Sequence, residues 1–404
     1  MPRDGVLVAT CLAAAIGSLF MGLLTNYPFA MAPGMGMNAF FAYTVVLGMG
    51  LPWQEAMGAV LLSGLVCVAV TLTRARQAVF DGIPLGLKYA LSVGIGLFIA
   101  LIGLQKAGII VHNPATGSLG LVQGRYFADP ELHRLLPVGA SPESVGLALA
   151  GLVLTGVLVV VRVRGALLWG ILAVTVAAVP LGVVPWSSLH LVGLPSGLGS
   201  TLMALRLPHA FNLEIVTLIL TLAFVDLFDT VGTLVGVSSK AGMLDARGRL
   251  PGASRALFAD SMGTVFGAVL GTSNTTTYVE SAAGVAEGGR TGWTCVAVAG
   301  LFVLALFFAP LAAAIPAAAT APALVIVGVF MMEPVRHIDF SDYAEAIPAF
   351  FAIVMMPLAY SIAEGVVAGI LAWALLRLLS GRWREVSITM WVLSVLFVLR
   401  FVLQ

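Results

Sequence analysis

Apolar runs close to the roughly 20 residues needed to cross the hydrocarbon core of a bilayer follow one another along the whole chain. They predict spanning helices at 6–25, 54–72, 85–105, 144–162, 166–186, 213–233, 255–271, 292–313, 319–332, 344–361, 364–379 and 386–403. Two segments break this rhythm. In 28–49, Pro28, Pro33, Gly34 and Gly36 interrupt any helix. In 271–284, Thr275, Thr276 and Thr277 disfavour a helix start, Ser281 to Gly284 suits close helix packing, and Glu280 sits between them. Polar, non-helical backbone at membrane depth survives only where protein or a water-filled cavity surrounds it. An ionisable residue in such a place marks a functional site. The polar stretches 113–142 and 187–212 are too short to be separate domains.

Of the 404 residues, 60% are hydrophobic and 10% charged, against roughly 25% charged in a soluble domain. The chain is therefore read as an all-α, multi-pass protein of the cell (cytoplasmic or inner) membrane, with the lipid bilayer as its solvent. A soluble multidomain enzyme is excluded. The net charge of +1 gives no case for a nucleic-acid partner. The 45 glycines suit tightly packed membrane helices. Cys11, Cys67 and Cys295 lie in apolar runs without metal spacing, and the histidines fall in loops or at span ends, so no metal site is expected. No nucleophile–base set is present.

Basic residues set the orientation. If Arg74 and Arg76 are cytoplasmic, alternation also places Arg162, Arg164, Lys240, Arg247, Arg249, Arg255, Arg290, Arg336, Arg377, Arg382 and Arg384 inside. Arg3, Arg125, Arg134 and Arg206 then fall outside, with both longer loops. The N-terminus comes out external, as if one helix were missing before it.

There is an internal echo. The broken segment 28–49 is followed by a span and then by Ile83-Pro84, which opens a span containing Gly94 and Gly96. The broken segment 271–284 is followed by a span and then by Ile315-Pro316, which opens a span containing Gly328. Interrupted segments at corresponding places in two halves point to an inverted-repeat transporter with its site near the midplane. The predicted organisation is a first repeat over 1–186, an external connection over 187–212 and a second repeat over 213–404.

In the first break, Gly34 and Gly36 let backbone approach a ligand closely. Asn38 stands near the start of the next half-helix, where free N–H groups face the cavity; a plain N-cap is the alternative. Phe40 and Phe41 could stack on a planar ligand or simply pack. On the 213–233 helix, Asp226 and Asp229 are three apart and share a face, about 5–6 Å from each other. Each costs roughly 2.5–3.5 kcal/mol at the bilayer centre. As a pair they can titrate as a unit, a proton-coupling device. The alternative is a structural pair capped by Thr230 and Thr233. Glu280 can accept the paired N–H donors of a purine or pyrimidine edge. Asp260, early in its span, reads as structural, and Gly232 and Gly236 as packing. Backbone N–H groups over Ser273–Thr277, including those of Thr275 and Thr276, would complete a site with Gly34, Gly36, Asn38, Asp226 and Glu280.

Three runs carry a resemblance: 32–44 (APGMGMNAFFAYT), 224–233 (FVDLFDTVGT) and 277–292 (TYVESAAGVAEGGRTG). Together they resemble the nucleobase:cation symporter-2 (nucleobase–ascorbate transporter) family, in its branch of adenine, guanine and hypoxanthine permeases. The resemblance implies two inverted seven-segment repeats sorted into core and gate domains. It implies that segments three (28–49) and ten (271–284) each carry a short strand and a half-helix, and that the two strands pair. Segment eight is 213–233. The implied purine ligands are Asn38, Asp226 and Glu280, and Asp229 serves transport. The gate domain often dimerises in this family, so a homodimer is implied. Members start with a helix that this chain lacks, so a misassigned start codon or a truncated product is expected. An immediate stop codon upstream, with no in-frame apolar run, would refute that.

The expected function is import of purine nucleobases by proton symport with alternating access, the proton being the coupling ion and no cofactor being required. The alternatives are uracil, xanthine or another small solute in the same architecture. A channel or an intramembrane enzyme is a more distant alternative.

Overall fold

The computed structural model describes the chain except for residues 35–36, 39, 74–77, 79–80, 115–116, 138–139, 186–191, 194, 196, 208–212, 246–248, 279, 310–313 and 404. The elements are α1 (Arg3–Thr25), β1 (Met31–Pro33), a π-wound α2 (Phe40–Gly48), α3 (Trp53–Leu72), α4 (Leu85–Lys106), β2 (Ile110–Asn113), β3 (Ser118–Leu121), α5 (Pro142–Val160) and α6 (Ala166–Ala178). They continue with α7 (Leu213–Lys240), α8 (Ala253–Leu270), β4 (Thr275–Thr277), α9 (Ser281–Ala286), α10 (Trp293–Phe307), α11 (Ala317–Met331), α12 (Tyr343–Leu358), α13 (Ile362–Leu379) and α14 (Ile388–Leu403). Among the described residues, seven helical stretches are long and apolar enough to cross a membrane: 4–25, 53–72, 85–106, 142–160, 215–239, 317–337 and 362–379. Shorter apolar helices cover 166–178, 293–307, 343–358 and 388–398. A helix coincides with each of the twelve expected spans, α8 falling in neither of these two groups, with α6 shorter and α7 longer than the hydropathy implied. Both breaks fall where the apolar pattern fails.

The chain forms two compact units, one of 1–95, 194–307 and 331–404, the other of 96–193 and 308–330. In the second unit, α5, α6 and α11 meet over small side chains. Ala148, Val174, Ala178, Ala318 and Ala321 form its core. A Cβ on Gly103 would lie 2.9 Å from the Ala321 carbonyl, so α4 and α11 approach through bare backbone. Residues 110–121 form the β2–β3 hairpin, in which Ile110 pairs with Leu121.

The first unit is built around a buried two-stranded antiparallel ribbon. β1 pairs with β4 in the register Met31↔Thr277, Ala32↔Thr276 and Pro33↔Thr275. Each strand gives the other the backbone partners that the bilayer cannot supply. Pro33, which has no N–H to donate, sits at the strand end. The Ser18 hydroxyl of α1 donates to the Met31 carbonyl at 3.1 Å and accepts from its N–H at 2.8 Å.

Glycines on the flanking helices make room for the ribbon. Met31 lies against Gly17 of α1 and Gly263 of α8. A Cβ on Gly267 would lie 2.5 Å from the Thr275 hydroxyl and 2.8 Å from the Ser273 carbonyl. Gly267→Val is therefore expected to displace the ribbon and lower stability by about 1–3 kcal/mol. Thermal unfolding in detergent reads this, and an unchanged melting temperature would contradict it.

The ends of the first unit agree with the charge-derived orientation. At one end the Gly5 carbonyl accepts from Thr201, Met203 N–H donates to the Val269 carbonyl, and Arg206 N–H donates to the Gln54 carbonyl. At the other, the Tyr27 hydroxyl donates to the Pro251 carbonyl, and Asn26 accepts from Gly292 N–H at 2.9 Å. α1, α3, α7 and α8 run between these ends. α8 stops at Gly271, whose φ of 98° suits glycine, and the chain turns back into the ribbon.

Candidate functional site at the buried ribbon

Four carboxylates surround the ribbon or its exits. Asp260 of α8 is fully buried and anchors β4. Its Oδ1 accepts from Thr277 N–H (2.7 Å), the Thr276 hydroxyl (2.9 Å) and the Thr277 hydroxyl (3.1 Å). Its Oδ2 accepts from the Thr230 hydroxyl of α7 at 2.6 Å. A buried charge persists only with such a donor set. Asp260→Asn replaces one acceptor oxygen with a donor. It is expected to lower thermal stability by about 1.5–3 kcal/mol, the scale of a charge-assisted hydrogen bond. Unfolding curves of the two purified proteins check this, and superimposable curves would refute it.

Asp226, 1% exposed, is tied to the same region from α7. Its Oδ1 accepts from Asn274 Nδ2 at 2.9 Å and from the Thr264 hydroxyl at 3.4 Å. Asp229, one turn further on, is only half-buried. A Cβ on Gly34 would lie 3.6 Å from Asp229 Oδ2 and 3.2 Å from the Thr276 methyl. The tight neighbour is the Thr276 methyl, so glycine at 34 eases the approach of the first break to β4. Asp229 is within electrostatic reach of Asp226 and Asp260, but no hydrogen bond to its carboxylate is made among the described residues.

The two breaks meet at a second place. The Ser273 hydroxyl donates to Asn38 Oδ1, and Gly34 N–H donates to the Asn274 carbonyl at 3.4 Å. Asn38 itself is exposed and continues a helical turn through its N–H to the Gly34 carbonyl at 2.9 Å. Glu280 stands half-buried at the N-cap of α9, which α7 contacts. The strand exit is fixed by Tyr278 N–H on the Ala30 carbonyl at 2.9 Å, and Arg290 donates to the Val285 carbonyl at the far end of α9.

The structure thus places Gly34, Asn38, Asp226, Asp229, Thr275, Thr276 and Glu280 on the ribbon or its immediate neighbours, while Gly36 lies outside the described residues. The side chains of Thr275 and Thr276 face the protein: Thr275 lies against Gly267, and Thr276 bonds to Asp260 and Thr230. Gly34, Asn38 and Thr277 also spend their N–H groups on protein acceptors. Phe41 packs into an apolar cluster with Met37, Val45, Met57 and Leu222; the Phe40 side chain lies outside the described residues. Sequence reading missed Asn274 and Thr264 at Asp226. A signal existed, because Asp260, Gly263, Thr264 and Gly267 form an i, i+3, i+4, i+7 stripe of polar and small residues in an apolar span.

The fold is one of spanning helices around two interrupted segments, with strands paired at the break. Solved structures share it: the transmembrane domain of the cyanobacterial bicarbonate transporter BicA has a TM-score of 0.57 at 18% identity, covering 92% of this chain and 98% of that one. The murine anion transporter Slc26a9, in its inward-facing state, has a TM-score of 0.52 at 11% identity, covering 93% of this chain and 67% of that one. Among sequences, the guanine/hypoxanthine permease PbuG of Bacillus subtilis is 43% identical over 402 residues, covering 99% of this chain and 87% of that protein. The adenine permease AdeQ of Escherichia coli is 39% identical over 399 residues, covering 98% and 85%. The model described as "Permease family" (Xan_ur_permease) matches residues 1–367. The chain belongs to this permease family, the nucleobase:cation symporter-2 family, as a multi-pass membrane protein and not an enzyme.

Proposed function

We propose that this chain imports purine nucleobases (adenine, hypoxanthine or guanine) by proton symport with alternating access. The observation that carries the proposal is the charge at the ribbon: Asp226, Asp229, Asp260 and Glu280 are all acids. An anion would be repelled there, whereas a neutral ring rich in N–H donors finds acceptors. BicA and Slc26a9 share the fold but not this reading, because function lives in the site rather than the fold. The names of PbuG and AdeQ supply the substrate class.

In this mechanism the purine lies between the two breaks, and its ring or amino N–H groups are accepted by Glu280 and Asp226, beside Asn38. Gly34 supplies the close approach, and the backbone around Gly36, Thr275 and Thr276 shapes the wall. A proton taken up by the Asp226/Asp229 pair accompanies the substrate. The core then moves against the gate, and both are released on the other side. The residues are arranged as inverted repeats over 1–186 and 213–404, joined by 187–212. The antiparallel pairing of a strand from each half supports that division. A homodimer through the gate is the assembly the family implies.

Equilibrium binding to the purified chain tests the substrate class. Adenine, hypoxanthine or guanine is expected to bind saturably and uracil more weakly. Preferential binding of uracil or bicarbonate would contradict the proposal.

A further inference from the structure

Asn274 is 1% exposed and lies in the second break, where that break meets the first. Its Nδ2 donates to Asp226 Oδ1 at 2.9 Å, and its carbonyl accepts from Gly34 N–H at 3.4 Å. Its Oδ1 has no hydrogen-bond partner among the described residues. A buried acceptor without a donor is costly, so a bare packing role does not account for an amide at this position. The Thr264 hydroxyl, a second donor to Asp226 Oδ1, is also within reach of the Thr275 carbonyl at 3.4 Å, so it can leave the carboxylate without becoming unpaired.

We propose that Asn274 is the positioning residue for Asp226, and that its amide serves both protonation states of that carboxylate. With Asp226 ionised, Nδ2 donates to Oδ1, as observed. When Asp226 takes up a proton, its new O–H needs an acceptor. A half-turn of the amide brings the unmatched Oδ1 to it. The proton stays on Asp226 and no other bond is made or broken. A carboxylate at 274 could only accept when ionised, and an apolar side chain could do neither. Asn274 thereby holds the Asp226 carboxyl in one orientation toward the nucleobase whether or not it carries the proton. The titratable groups around it are Asp226 and Asp229 on α7, Asp260 on α8, and Tyr278 and Glu280 at the ribbon's exit.

This inference rests on the chain being a nucleobase transporter, so the test begins with wild-type uptake of labelled hypoxanthine between about pH 5.5 and pH 8. In Asn274→Asp, a protonated Asp at 274 donates its O–H to Asp226 as the amide does. As pH rises that proton leaves to water and two carboxylates face each other. The variant is expected to transport near the wild-type rate at the acid end and to lose about tenfold by the alkaline end, relative to wild type. Asn274→Leu is expected to be slower at every pH, with the profile's shape unchanged. Asn274→Ser, whose hydroxyl both donates and accepts, is expected to keep the wild-type profile at a reduced rate, and it serves if the Asp variant does not fold. An Asp profile parallel to wild type, a displaced Ser profile, or full activity in the Leu variant overturns the assignment. Absence of purine uptake by the wild type would instead refute the transport reading itself.

Discussion

Glu280→Gln is expected to weaken purine uptake by about 10- to 150-fold, mainly as a higher KM, with normal amounts of protein in the membrane. A charged acceptor contributes about 1.5–3 kcal/mol to a hydrogen bond with an N–H donor, and each 1.4 kcal/mol is about tenfold in affinity. The amide keeps the shape of the side chain but turns one of its two acceptor atoms into a donor that faces the ligand's own N–H. Glu280 stands at the N-cap of α9, directly after the buried ribbon. The strand is held by Asp260 and the exit by the Ala30 carbonyl, contacts the substitution does not touch. Initial rates of labelled adenine and hypoxanthine uptake, normalised to protein in the membrane, measure the effect. Wild-type kinetics in the variant would remove Glu280 from the site.

Asp229→Asn is expected to abolish concentrative uptake while leaving substrate binding within a few-fold of wild type. Of the Asp226/Asp229 pair on α7, Asp226 is enclosed and held by Asn274 and Thr264, whereas Asp229 is half-buried beside Gly34 and makes no hydrogen bond among the described residues. It is the member of the pair through which the proton shared with Asp226 can enter and leave, and an amide cannot take that proton up. One proton carried per purine allows about tenfold accumulation for each pH unit across the membrane, since one unit is about 1.4 kcal/mol. The variant is expected to equilibrate at most, with an accumulation ratio near one, while purine still protects it against thermal unfolding. Accumulation equal to wild type would show that Asp229 does not carry the coupling proton.

Much of this was legible in the sequence because the bilayer imposes strong rules. Long apolar runs had to be helices, and the two places where proline, glycine and threonine broke them had to be enclosed by protein. Charge alternation placed Arg206 and Arg3 on one side and Arg290 on the other, and the contacts of Gly5 with Thr201 and of Asn26 with Gly292 agree. That 28–49 and 271–284 each carry a strand and that the two pair came from the family resemblance alone, since a three-residue strand has no periodicity to read; the bounds 31–33 and 275–277 are set by the structure. Asp260 was read as structural, but its bonds to Thr276 and Thr277 depend on a fold in which α8 passes behind β4. For the same reason Asn274 looked like one more polar residue in a polar segment. Only the packed structure shows that it is enclosed and aimed at Asp226. Of the N–H groups that the sequence offers to a ligand, those of Gly34, Asn38 and Thr277 are engaged with protein, because a ribbon buried between helices must satisfy its own polar groups first.

Uptake of labelled hypoxanthine into proteoliposomes holding this chain, with an imposed inward-directed proton gradient, tests the account most directly. Saturable accumulation is expected, competed by unlabelled adenine or guanine, untouched by bicarbonate, and collapsed by an uncoupler. Accumulation that ignores the uncoupler, or a flux that bicarbonate competes and purines do not, would contradict it.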